Sequence, residues 1–119
     1  MNDKPDERRR LARITLVGAA LFAPRSNTRA ITAVVDNVNR LGAGLHAKES
    51  LPVRELVMVS MAFLDQHGRE QQEKLPGRVA WTKPWEKGHL IGVVWDEPVT
   101  KDKNRYLAAY IEESLKETA

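Results

Sequence analysis

An arginine-rich segment stands near the start of the chain. Arg8, Arg9, Arg10 and Arg13 follow one another with only Leu11 and Ala12 between them, and no acid interrupts the segment. A guanidinium group forks onto phosphate oxygens and guanine edges and stacks on rings, whereas a lysine ammonium acts as a point charge. The segment therefore favours a phosphorylated ligand, although arginines are also common on ordinary basic surfaces.

A second polar segment runs from Asp36 to Gly44 and contains Asn37, Asn39 and Gly42. Short amide side chains carry both a donor and an acceptor, so they can meet the groups on the edge of a base. A glycine permits a positive φ or a close approach of two backbones. Taken alone, this stretch is more typical of a tight hairpin turn. Together with the upstream arginines, it favours a binding site.

Charge and composition narrow the classes of function. Residues 8–40 hold seven arginines against one acid, whereas the whole chain has a net charge of +3. The absence of cysteine excludes disulfides, thiol chemistry and thiolate zinc sites. The histidines, His46, His67 and His89, are scattered without metal-binding spacing, and no nucleotide-binding loop or hydrolase motif is present. The sequence predicts a binding protein that is not an enzyme and that carries no cofactor or metal.

The elements that must position these residues follow from hydrophobic periodicity. A chain of 119 residues with 42% hydrophobic content predicts a single domain, 1–119, with residues 1–8 flexible. Alternating apolar residues separated by turn residues predict six strands. The predicted strands are 13–23, 29–36, 45–48, 54–65, 78–82 and 89–96, with a turn that starts at 36–37 and continues through 41–44 and a polar connection at 66–76.

The end of the chain changes its period. Leu107, Tyr110, Ile111 and Leu115 recur at helical spacing, which predicts an amphipathic helix over residues 103–117 capped by Thr100 or Asp102. Six short strands and a closing helix predict an all-β fold, a six-stranded antiparallel β-barrel with a C-terminal α-helix.

The two polar segments together resemble the signature of the PilZ family, RxxxR followed by [D/N]xSxxG. Arg9 and Arg13 match the first part, and Asn37, Asn39 and Gly42 fill the second. Asn39 is a departure, because the family has a serine there. The later segments 77–81 and 90–95 and the terminal helix also resemble the family, so the resemblance covers residues 7–115 and implies a PilZ-type β-barrel.

The resemblance implies binding of cyclic di-GMP, which presents two phosphates and two guanines. Arg8, the residue before RxxxR, implies two intercalated ligand molecules per chain. Trp81 is expected either against a ligand base or as an ordinary core or surface tryptophan, Trp95 is expected in the core, and Trp85 in a loop. The expected ligand-binding residues are Arg8, Arg9, Arg13, Asn37, Asn39, Gly42 and Trp81.

The family resemblance also implies a function. The expected protein is a bacterial receptor that changes conformation on binding cyclic di-GMP and regulates an unidentified downstream protein in motility, exopolysaccharide or biofilm output. A cytoplasmic protein that does not bind a membrane is expected. The acidic residues Asp3, Asp6 and Glu7 are not typical of the start of a signal peptide. The apolar run 14–23 is too short to span a bilayer.

Two alternatives stay open from the sequence. The serine-to-asparagine departure at Asn39 favours a PilZ-like adaptor that has lost the ligand and acts through protein contacts alone. A small nucleic-acid-binding β-barrel could use the same arginines on a phosphate backbone. Few aromatic residues are available to stack on bases, which disfavours nucleic acid.

Overall fold

Six antiparallel strands close into a barrel, followed by one helix, in a computed structural model that describes residues 18–26, 29–65 and 67–118. The order around the barrel is β1-β2-β3-β6-β5-β4. The predicted all-β barrel with a C-terminal helix is confirmed. The elements are β1 (Gly18–Pro24), β2 (Ile31–Val38), β3 (Gly42–Ala47), β4 (Leu56–Leu64), β5 (Glu70–Trp85), β6 (Gly88–Trp95) and α1 (Arg105–Thr118).

The barrel interior is filled by apolar side chains from every strand. Alternate residues of a strand face opposite sides of a sheet, so one face of each strand points inward. In β1 the inward residues include Ala20 and Phe22, as their shared spacing predicts, and in β6 they include Trp95, the expected core tryptophan. The largest fully buried side chains are Phe22, Leu45, Met61, Ile91, Leu107 and Ile111, with smaller valines between them. A filled interior leaves the outer face of the barrel as the place for a ligand.

The helix α1 packs its apolar stripe into the same core. Leu107 and Ile111 are buried, and the ring of Tyr110 meets Phe63 edge-on with centroids 5.7 Å apart. Asn104 precedes the helix and its carbonyl accepts the N–H of Ala108, while Thr100 accepts from Lys103 in the turn before it. No helix of the described residues is long and apolar enough to cross a membrane.

Three sequence-based assignments are wrong. The polar stretch 66–76 is not a connection, because β5 already starts at Glu70 and its residues 70–78 pair with the whole length of β4. Strand pairing uses backbone groups and does not require apolar side chains. Because the first half of β5 carries mostly polar side chains, its hydrophobic pattern does not reveal a strand. Trp85 is the last residue of β5 and not a loop residue. The turn predicted from 36–37 through 44 is shorter, because β2 continues to Val38 and β3 already starts at Gly42.

Arg25 has a structural role that its place in a basic segment conceals. Its guanidinium donates to the carbonyl oxygens of Val57 and Gly77 and pairs with the carboxylate of Asp96 at 2.9 Å. These contacts tie the end of β1 to β4, β5 and the residue after β6. Arg25 therefore supports the barrel, and its loss would change stability before it changed any ligand contact.

Candidate ligand groove

The registers of four strands place Asn37 and Trp81 in one row on the outer face of the barrel. Asn37 of β2 is paired with Gly44 of β3, Gly44 with Gly92 of β6, and Gly92 with Trp81 of β5. Directly opposite residues lie about 5 Å apart and point to the same face. The row is therefore a shallow trough, with a polar amide at one end, an indole at the other and two glycines as its floor.

A β-bulge at each end of the row aims these two side chains outward. In β2 the register shifts between Val35 and Asn37, and in β5 it shifts between Val79 and Trp81. A bulge inserts one extra residue, which reverses the alternation beyond it. Without the bulges, Asn37 and Trp81 would follow the buried Val35 and Val79 into the core. The bulges turn both side chains to the outer face.

The two floor glycines give room to the side chains at either end. A Cβ on Gly92 would lie 2.2 Å from the indole nitrogen of Trp81, so the indole rests directly on this glycine. A Cβ on Gly44 would lie 2.9 Å from the amide nitrogen of Asn37. Both glycines are site residues that sequence reasoning missed, because only the strand register brings them beside Asn37 and Trp81.

The turn between β2 and β3 is held by Asn39. Its Oδ1 accepts the backbone N–H groups of Leu41 at 2.8 Å and Gly42 at 3.0 Å, and its own N–H donates to the carbonyl of Gly42. Short polar side chains commonly stabilise turns in this way. The position that resembles the family's serine thus carries a turn-forming acceptor, and Asn37 lies just before that turn.

Gly42 is required for close packing and not for an unusual backbone angle. A Cβ there would lie 2.1 Å from the carbonyl oxygen of Val93 on the neighbouring strand. Among the described non-glycine residues, only Arg54 and Glu86 have a positive φ. Among the described glycines, only Gly68 does. Of the two reasons for a glycine that the sequence offered, the structure supports the close backbone approach.

The groove gathers all the predicted site residues that the structure describes. Its lining includes Asn37, Asn39, Gly42 and Trp81, together with the floor glycines. The remaining three predicted residues, Arg8, Arg9 and Arg13, lie outside the described residues. The groove encloses about 150 Å³, whereas a pocket that surrounds a ligand usually has about 300–1,000 Å³. The described residues therefore form a shallow groove that is open on its outer side.

The described lining of the groove carries no charged side chain. Its described lining contains no histidine or acid, and the described part of the chain has no cluster of His, Asp and Glu suited to a metal ion. The nearest acid along the chain, Asp36, accepts a hydrogen bond from the Asn37 amide nitrogen at 2.9 Å. An indole face, amide groups and bare backbone are suited to holding a planar, hydrogen-bonding ring.

A family model described as PilZ domain matches residues 7–113. The chain belongs to the PilZ domain family. The matched region includes the arginine segment, the groove and most of α1, so the predicted family is confirmed. PilZ domains are generally bacterial receptors for cyclic di-GMP or adaptors, and not typically enzymes. No curated protein is detectably similar to the chain in sequence.

Two solved structures share the PilZ fold. The inhibitor of motility MotI/DgrA from Bacillus subtilis superposes with a TM-score of 0.68 at 15% identity, over 90% of this chain and 51% of that one. The PilZ domain of CeSA from a cellulose-synthesizing bacterium gives 0.50 at 18% identity, over 91% and 99%. The chain thus spans about half the length of the Bacillus protein. At these identities the likeness concerns the fold alone.

Proposed function

We propose that this PilZ chain is a receptor for cyclic di-GMP that acts on a partner protein. The observation that carries the proposal is the row from Asn37 to Trp81. Two β-bulges turn the side chains at its ends to the outer face of the barrel, where the row forms a trough. A guanine ring can lie on its indole and glycine floor, since stacking needs only a π-face and room. The amide of Asn37 can meet donors and acceptors on the guanine edge.

The described lining of the groove contains no cation to pair with the ligand phosphates, and the arginine segment can supply such cations. Ala19 is paired with Val34, so the described start of β1 lies toward the end of β2 that carries Asn37. Arg13 is five residues before Gly18, and five extended residues span at most about 17 Å. The proposal is that Arg13 and Arg9 reach the groove from this end of β1. Guanidinium groups there would pair with phosphate oxygens and with guanine O6 and N7.

The proposed response follows from the one-sided groove. A ligand lying on the trough is still exposed on its outer side, and the proposed cover is the arginine segment. A contact between that segment and the ligand would present a new surface to a downstream protein. Arg8 supports a site for two intercalated molecules. The similar Bacillus protein is an inhibitor of motility, which makes motility one candidate output beside exopolysaccharide and biofilm formation.

A calorimetric titration of the whole chain with cyclic di-GMP tests this proposal. We expect saturable binding with two ligands per chain. We expect no comparable heat with GMP or GTP, because each of these nucleotides has a single guanine and no ring of two phosphates. A stoichiometry of one would remove the intercalated pair but keep the receptor. No binding would leave the adaptor alternative, while salt-sensitive affinity for any oligonucleotide would favour nucleic acid instead.

Gly92→Ala is expected to weaken cyclic di-GMP binding by dislodging the Trp81 indole, which occupies the space of the new methyl group. Base stacking on an aromatic side chain contributes about 1–3 kcal/mol, so we expect a loss of roughly fivefold or more. The barrel should fold, because the displaced group is an exposed side chain. Titrations of the single and double variants with Trp81→Ala measure the coupling between the two positions.

The double variant decides how Gly92 acts. If the glycine acts by seating the indole, Gly92→Ala should add almost nothing to the loss already caused by Trp81→Ala. Equal losses in both backgrounds would show that the methyl group obstructs the ligand directly, and the role given to Gly92 in seating the indole would then be wrong.

A further inference from the structure

Two cations stand on either side of Trp81 along the outer face of β5. Arg78 precedes the bulge and is paired with Val94, which is paired in turn with Gly42 of the groove. Lys83 follows Trp81 on the same face and is paired with Leu90. Both side chains are exposed. The row that holds Arg78 and the row that holds Lys83 therefore border the groove row on its two sides.

Neither Arg78 nor Lys83 forms an ion pair with an acidic side chain in the described part of the chain. The ion pairs there join Arg25 to Asp96, Arg29 to Glu49, Lys101 to Glu112 and Lys103 to Glu97. The Lys83 ammonium lies 5.9 Å from the centroid of the Trp85 ring, a weak contact that a phosphate can replace. An exposed cation without a partner acid keeps its charge available for an anionic ligand.

The bulge gives this arrangement its geometry. It inserts one extra residue between Arg78 and Trp81, so that three outward side chains follow in the order cation, indole, cation. A nucleotide presents the same order of chemistry, since a stacked base has a sugar-phosphate on its flank. In a cyclic dinucleotide, the phosphates lie on both sides of the base. The spacing therefore suits one stacked base with a phosphate at each edge.

We propose that Arg78 and Lys83 are phosphate-binding residues on the β5 side of the groove, which bracket the base stacked on Trp81. This inference rests on the proposed function and adds two residues outside the RxxxR and second-segment motifs. Asn37 would then hold the ligand from the β2 side, and Arg78 and Lys83 would pair with its phosphates from the β5 side.

Calorimetric titration of cyclic di-GMP into Arg78→Gln and Lys83→Gln tests the inference. Hydrogen bonds to charged groups predict a loss of at least about tenfold in each variant, together with a weaker dependence of Kd on NaCl concentration, because one ionic contact is gone. Lys74→Gln is the matched control. Lys74 is an exposed cation on the same face of β5, but it is paired with Ser60 of β4 and lies away from the groove. Arg78→Lys should fall between parent and Arg78→Gln, since it keeps the charge but loses the fork.

The outcomes separate this inference from the proposed function. If the parent binds cyclic di-GMP and both neutral variants bind as Lys74→Gln does, with the same salt dependence, the phosphate role is wrong while the receptor stands. A loss in only one variant contradicts the proposal that both cations bind phosphates, one on each side of the stacked base. A parent that binds no cyclic di-GMP contradicts both proposals. Thermal melts of all variants should agree with the parent, because neither side chain makes a hydrogen bond or ion pair within the described structure.

Discussion

Replacing Arg9 or Arg13 with alanine is expected to weaken cyclic di-GMP binding strongly. Each guanidinium would hold a phosphate or a guanine edge on the open side of the groove, where the described residues offer no other cover. Hydrogen bonds to charged groups contribute about 1.5–3 kcal/mol, so each variant should raise Kd by about ten- to a hundredfold. Calorimetric titration of both variants measures the effect.

Arg54 and Arg69 are the appropriate controls for these variants. Both are exposed arginines whose described positions lie in turns outside the groove lining. Arg25 is unsuitable despite its place in the basic third of the sequence, because its guanidinium holds two backbone carbonyls and Asp96. If Arg54→Ala and Arg69→Ala weakened binding as much as Arg9→Ala, the ligand would be held by a diffuse basic surface. The nucleic-acid alternative would then gain.

Replacing Asn39 with leucine is expected to weaken binding clearly while the barrel still folds. Leucine is similar in size but accepts no hydrogen bond, so the N–H groups of Leu41 and Gly42 lose their shared acceptor. The turn that follows Asn37 would loosen, and the amide would no longer be aimed at the ligand. Serine keeps an acceptor, so Asn39→Ser should bind within about tenfold of the parent, a range of roughly one neutral hydrogen bond, ~0.5–1.5 kcal/mol.

Asn39→Asp separates the turn from the ligand. An aspartate keeps an oxygen acceptor in the same place, so its thermal melt should agree with the parent, but its charge would repel the ligand phosphates. Titrations beside melts of the three variants make the comparison. Tight binding by Asn39→Leu would show that the alignment of this turn with the family motif is wrong. A parent that fails to bind while Asn39→Ser binds would establish the adaptor alternative.

The barrel and its helix were predictable because their signals are local. Alternating apolar residues, as in Ala20 and Phe22 of β1, predict a strand with one buried face, and the change to helical spacing at Leu107 and Ile111 predicts α1. Asn37, Asn39, Gly42 and Trp81 were predicted from a family resemblance, and the structure brings these four to one groove. Whether they bind a ligand stays a prediction.

The rest of the groove depends on pairing between distant parts of the chain. The bulges after Val35 and Val79 have no signature in the local pattern, yet they decide that Asn37 and Trp81 face outward. Gly44 and Gly92 become a floor only through the order β2-β3-β6-β5. The polar first half of β5 is a strand because β4 offers it backbone partners. Such facts require the register, which composition and periodicity do not contain.

The most direct measurement of the central claim is a paired calorimetric titration with cyclic di-GMP and cyclic di-AMP under the same salt conditions. The two ligands share the ring of sugars and phosphates and differ in their bases, so a difference in affinity reports recognition of the guanine edge by arginine and asparagine side chains. The account predicts saturable binding of cyclic di-GMP and at least tenfold weaker binding of cyclic di-AMP. Equal affinities, or no heat with cyclic di-GMP, would contradict it.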